Sequence, residues 1–99
     1  MVKHIVFFRF KEHAAGQTKQ QNMLDVKQRL EALGGLPGVV KIEVGFDVLE
    51  GDASCDVALY SEFDDQVALD GYQQNPDHMA VKELLGEVTE ERYVVDYSI

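Results

Sequence analysis

The 99-residue sequence holds one cysteine, Cys55, so no disulfide can form within the chain. The lone thiol fits a reduced, cytoplasmic setting, in which Cys55 reads as a small buried hydrophobe. Basic residues are also scarce: nine Lys and Arg stand against eighteen Asp and Glu, a formal charge of −9. A field of that sign repels phosphate backbones and anionic lipid, and no Lys/Arg cluster interrupts it, so neither nucleic acid nor a membrane surface is an expected partner. Long apolar runs are absent. The opening MVKHIVFFRF is interrupted by Lys3, His4 and Arg9 and is followed by no small-residue cleavage site, which makes it a strand, not a signal peptide or a membrane span. Metal-ligand spacings of His, Cys and Glu are missing, the acidic turn at 47–52 lacks the alternating oxygens of a calcium loop, and no cofactor is expected. Internal repeats, low-complexity runs and linkers are missing too. What is left is one domain whose core, at this size, is marginal enough to favour self-association.

The elements follow from periodicity. Val2, His4, Val6, Phe8 and Phe10 share one face of a first strand, and Lys3, Ile5, Phe7 and Arg9 the other. After a loop at 11–17 punctuated by Gly16, Thr18 and Gln21 form a capping box. Met23, Val26, Leu30 and Leu33, with Leu24 beside them, then mark an amphipathic helix of about four turns. Gly34-Gly35 stops it and Pro37-Gly38 turns the chain. Alternation predicts strands over 40–48 and 55–63, joined as a hairpin through Glu50-Gly51-Asp52. Asp64 and Asp65 start a helix running to about Gln74, with Ala68, Leu69 and Tyr72 inward. Asn75 caps a second short helix with Pro76 in its first position and Val81, Leu84, Leu85 and Val88 as its apolar stripe. Residues 91–99 close the chain as a strand.

The order is β-α-β-β-α(α)-β, an α+β, ferredoxin-like arrangement: a four-stranded antiparallel sheet with helices on one face. The first strand is apolar on both faces. Helices can cover only one, so the other, through Ile5 and Phe7, is expected to bury against a second copy in a homodimer joined sheet to sheet.

Several stretches resemble the stress-responsive α/β-barrel (Dabb) family. VKHIVFFRFK is similar to its first strand, DVALYSEFDD to its third strand and the start of the following helix, and RYVVDY to its closing strand. Tyr72 to His78, YQQNPDH, is similar to the family's Y-x-x-H-P-x-H motif. The resemblance spans essentially the whole chain and implies a dimeric α+β barrel. Some plant members are stress-associated proteins, and a plant polyketide cyclase of the family closes its substrate by an aldol reaction. The resemblance maps that enzyme's catalytic histidine and tyrosine onto His78 and Tyr72, and a first-strand pocket histidine onto His4. It also implies a small-molecule cavity between helices and sheet, lined by His4, Val6, Phe8, Leu59, Tyr72 and His78, for a small hydrophobic ligand. Asn75 stands where the family motif has its first histidine, and Val57 where the cyclase has a third-strand pocket histidine.

Each candidate has two readings. His78, in the first turn of its helix, meets unpaired amides and the positive end of the helix dipole, which favour a neutral imidazole suited to a general base. Tyr72 can then hydrogen-bond an enolate or phenolate oxygen. Alternatively His78 caps its own helix, and His4 is a satisfied core histidine. Three classes of function stay open: a ligand-binding or stress-associated homodimer, a cyclase- or isomerase-like enzyme with His78 as base, and, by fold analogy alone, a cofactor-free monooxygenase.

Overall fold

The computed structural model describes residues 1–99 as six strands, three α-helices and a short 3₁₀ turn: β1 (Val2–Phe10), β2 (His13–Ala14), β3 (Gln17–Thr18), α1 (Lys19–Glu31), the 3₁₀ turn Ala32–Gly35, β4 (Val39–Phe46), β5 (Val57–Phe63), α2 (Gln66–Gln74), α3 (Pro76–Val88) and β6 (Thr89–Ser98). The main sheet has the order β4-β5-β1-β6 with every neighbouring pair antiparallel, which is the ferredoxin-like topology. No helix is long and apolar enough to cross a membrane.

One face of the sheet carries the core. Val2, His4, Val6, Phe8 and Phe10 of β1 and Val57, Leu59, Ser61 and Phe63 of β5 are all buried. The period-2 alternation sends these residues to the helices and the intervening ones to the outer face. Val26 and Leu30 of α1, Leu69 and Tyr72 of α2, and Val81, Leu85 and Val88 of α3 close over them. The helix starts follow the local chemistry. Thr18 and Gln21 form the reciprocal capping box of α1, the Asp65 carboxylate accepts from Ala68 N–H, and the Asn75 side chain accepts from Asp77 N–H with Pro76 in the first turn.

The structure departs from the sequence reading in five places. The loop at 11–17 contains the β2–β3 hairpin, turned by Ala15 and Gly16, both at positive φ, as a two-residue primed turn requires. In α1, Leu24 faces solvent and Leu33 lies in the 3₁₀ turn, while Asn22 is buried. Its amide donates to Ala14 O (3.0 Å) and accepts from Gln17 Nε2 (3.1 Å), so a satisfied polar group ties α1 to the hairpin. β4 ends at Phe46, leaving Val48 outside the strand and 95% exposed; Val40 is the extra residue of a bulge against β5. β5 starts at Val57, and Cys55 precedes it, half-buried and not fully enclosed. β6 begins at Thr89, and its residues past Thr89 are exposed on both faces, because it is an edge strand that the helices do not reach.

Candidate functional site

A cavity of about 240 Å³ lies between the helix layer and the sheet. Val6 and Phe8 of β1, Leu59 of β5, Leu30 of α1 and Leu85 of α3 give it an apolar floor and walls. Its polar groups are His4, Gln73 and His78, with Lys82 and Arg92 completing the lining. An apolar chamber with a few convergent polar groups is the usual form of a small-molecule site. Of the six expected ligand-contacting residues, His4, Val6, Phe8, Leu59 and His78 meet at this cavity. Tyr72 does not line it; its ring lies behind His78.

His78 occupies the first turn of α3, just past the break at Asn75. That break leaves carbonyls at the end of α2 without helical partners. One of them, Gln73 O, lies 3.3 Å from His78 Nδ1. A carbonyl only accepts, so Nδ1 carries the proton and the Nε2 lone pair stays free. Burial holds the His78 pKa below its ordinary value; the Gln73 contact opposes this, and the nearby His4, Lys82 and Arg92 side chains push it down further. The imidazole is therefore neutral near pH 7, in the tautomer a proton acceptor needs.

Behind it, the Tyr72 ring lies 4.4 Å from the His78 ring and 4.9 Å from Phe63, centroid to centroid. Tyr72 is buried, its hydroxyl has no hydrogen-bond partner, and desolvation pushes its pKa up to about 12. It stays a neutral donor at any physiological pH. A buried hydroxyl without a partner is uncommon and costly, and so calls for an explanation.

His4 is 3% exposed and stands on the sheet below Tyr72 and His78. Its Nδ1 lies 2.5 Å from Asp96 Oδ1, its carbonyl accepts from Ser61 Oγ at 2.8 Å, and its ring meets Phe63 edge-on at 6.5 Å. The Asp96 carboxylate holds the imidazole in a fixed orientation, as a carboxylate does for histidines at reactive sites. The sequence pattern puts Asp96 within the closing strand and gives it no partner. Pairing β6 with β1 puts Asp96 directly opposite His4 and Arg92 opposite Phe8, a register no local pattern reveals. Lys82 was within reach, since it follows His78 by four residues on one helix and shares its face. No group of three or more His, Cys, Asp or Glu side chains is placed to hold a metal ion.

A second hollow, of about 470 Å³, opens on the outer sheet face, where Phe7, Ala58 and Tyr93 meet the 47–56 loop over Gly45.

No curated protein sequence matches the chain. Among solved structures, a dimeric protein of unknown function with a ferredoxin-like fold from Bacteroides fragilis is 36% identical, with a TM-score of 0.87 over 99% of this chain and 95% of that one. A Dabb family protein with the same fold from Mesorhizobium loti is 26% identical, with a TM-score of 0.74 over 99% and 95%. An antibiotic biosynthesis monooxygenase shares the fold at 15% identity, with a TM-score of 0.73 over 100% and 98%. The model of the stress responsive A/B barrel domain matches residues 2–99. With that match over nearly its whole length, and the fold to go with it, this chain belongs to the stress responsive A/B barrel (Dabb) domain family.

Proposed function

We propose that the protein is a cytoplasmic homodimer that binds a small, mainly apolar molecule in the chamber between helices and sheet, against His78. The observation that carries this reading is His78 itself. It is a neutral imidazole with Nδ1 tied to Gln73 O and Nε2 free, at a chamber whose floor is apolar. The homodimer is supported by the outer sheet face, where half-buried Ile5 pairs with exposed Val95 and exposed Phe7 with exposed Tyr93 in one apolar strip, and by the dimeric state of the Bacteroides fragilis relative. The cytoplasmic assignment rests on the lone Cys55.

A second reading, a cyclase- or isomerase-like activity, has its own support in the Tyr72 hydroxyl. It is buried and unpartnered beside His78, an arrangement in which a donor waits for an oxygen that acquires charge during reaction. On this reading His78 Nε2 removes a proton from a carbon next to a carbonyl, and the Tyr72 hydroxyl, outside the chamber behind the His78 ring, donates to the enolate oxygen once that ring turns aside. The monooxygenase reading has fold similarity at 15% identity behind it and no feature of this site.

Exchange of the acidic C–H of acetylacetone in D2O, followed by NMR, tests the base. The protein should accelerate exchange, with a rate that rises through an ionisation below pH 6.5, because the folded His78 loses its proton below that value. His78→Ala should lower the acceleration by on the order of a hundredfold or more. Equal rates for the two proteins would remove His78 as the base and leave a binding protein.

A further inference from the structure

Two basic side chains without an ion-pair partner meet at the chamber. Five of the nine basic side chains, Lys3, Arg9, Lys19, Lys27 and Arg29, are held in ion pairs with Asp or Glu. Lys82 and Arg92, like Lys11 and Lys41, are in none, although acidic residues outnumber basic ones two to one, eighteen to nine. Both line the chamber, from different elements: Lys82 from α3, one turn beyond His78, and Arg92 from β6, opposite Phe8. The lining contains no Asp or Glu, and the carboxylate of Asp96, also on β6, is engaged by His4. Two cations without ion-pair partners therefore line a chamber whose floor is apolar.

We infer that the ligand of this chamber is a small carboxylate with an apolar body about one ring in size, its carboxylate held by Lys82 and Arg92 and its body on Val6, Phe8, Leu59 and Leu85. The inference rests on the chamber being the ligand site. A guanidinium and an ammonium carried by two different elements match the two oxygens of a carboxylate, the guanidinium as a planar fork and the ammonium as a point charge. The volume limits the body, since about 240 Å³ falls below the usual range of drug-sized sites. The same anchoring leaves the His78 Nε2 free for the body of the ligand. Both cations act on the His78 imidazole, in keeping with their place at the same chamber. At −9 overall the molecule repels anions at long range, so selection of an anion falls to these two side chains at short range.

The test is an NMR titration of the intact protein with 4-hydroxybenzoate and with 4-hydroxybenzamide, which share a ring and differ in charge. The carboxylate should bind at least tenfold more tightly than the amide and shift the His78 ring signals. The double variant Lys82→Met, Arg92→Gln changes only exposed side chains and should bind both probes equally. Lys82→Arg, which keeps the charge, should retain the preference. Equal affinities in the wild type, or a preference that survives the double variant, would overturn the carboxylate assignment and leave the chamber as a site for neutral ligands. Binding of neither probe would overturn the chamber reading together with it.

Discussion

Tyr72 separates a structural role from a functional one. A hydroxyl that is buried and hydrogen-bonded to nothing costs folding free energy, since its water partners are lost and not replaced. Tyr72→Phe keeps the ring against His78 and Phe63 and removes only that hydroxyl. Urea unfolding should show the variant as stable as the wild type, or more stable by about 1 kcal/mol. Proton exchange supported by the wild type should fall. A loss above about 1 kcal/mol would show that Tyr72 donates within the fold. His4 is the contrasting case. Its imidazole, its carbonyl and its ring all have partners, which suits a group that shapes the chamber floor and is itself held by Asp96.

At the scale of elements, the chamber depends on how the strand edges and helix joints are closed. β4 is an edge strand, and its free backbone is met by α1: Lys27 Nζ donates to Val44 O at 2.6 Å, and Glu31 Oε2 accepts from Val44 N at 3.4 Å. A pair of residues four apart on one helix thus blocks an edge that would otherwise recruit another strand. Gly38 sets the approach of β4 to α2. Its φ is +80°, its carbonyl accepts from Asp64 N, and a methyl group placed on it would sit 2.5 Å from Ala68 Cβ. Gly38→Ala is expected to cost roughly 2–3 kcal/mol, read from the urea midpoint, because both the left-handed backbone and the contact with the first turn of α2 resist a side chain. A loss of only a few tenths would mean that α2 shifts freely. The joint at Asn75 was legible in advance, since an Asn-Pro pair before an apolar periodic stretch is a helix start. The small hairpin at 13–18 was not, because its two-residue strands are too short for any periodicity to register.

For the whole molecule the open question is what covers the outer sheet face. Tyr93, Val95 and Tyr97 of β6 are each about half exposed, and with Ile5 and Phe7 of β1 they make a strip that a protein of this size gains by burying. Val95→Asp puts a charge opposite Ile5 in the middle of that strip. Light scattering at micromolar concentration should give a dimer mass for the wild type and a monomer mass for the variant. A monomeric wild type would remove the sheet face as the dimer interface. Burial of this face would also enclose the outer hollow around Phe7 and Tyr93, leaving the helix-side chamber open to ligand.

The order of elements, the faces of β1 and β5, and the caps of all three helices were determined by the sequence alone. They depend on spacings of two to four residues and on side chains that reach their own backbone, so neighbours in the chain are sufficient. The place of His78 in the first turn of its helix was legible for the same reason. Only the tertiary structure decided that Asp96 meets His4, that Tyr72 lies behind His78 instead of lining the chamber, and that Arg92 joins Lys82 at its side. Those contacts depend on the register of β6 against β1 and on the seating of α2 and α3 over the sheet, which are set by packing between segments up to ninety-two residues apart. A local pattern carries no information over that distance. The chemistry of the chamber arises where the two kinds of information meet, at a histidine placed by its own helix and surrounded by groups placed by the fold.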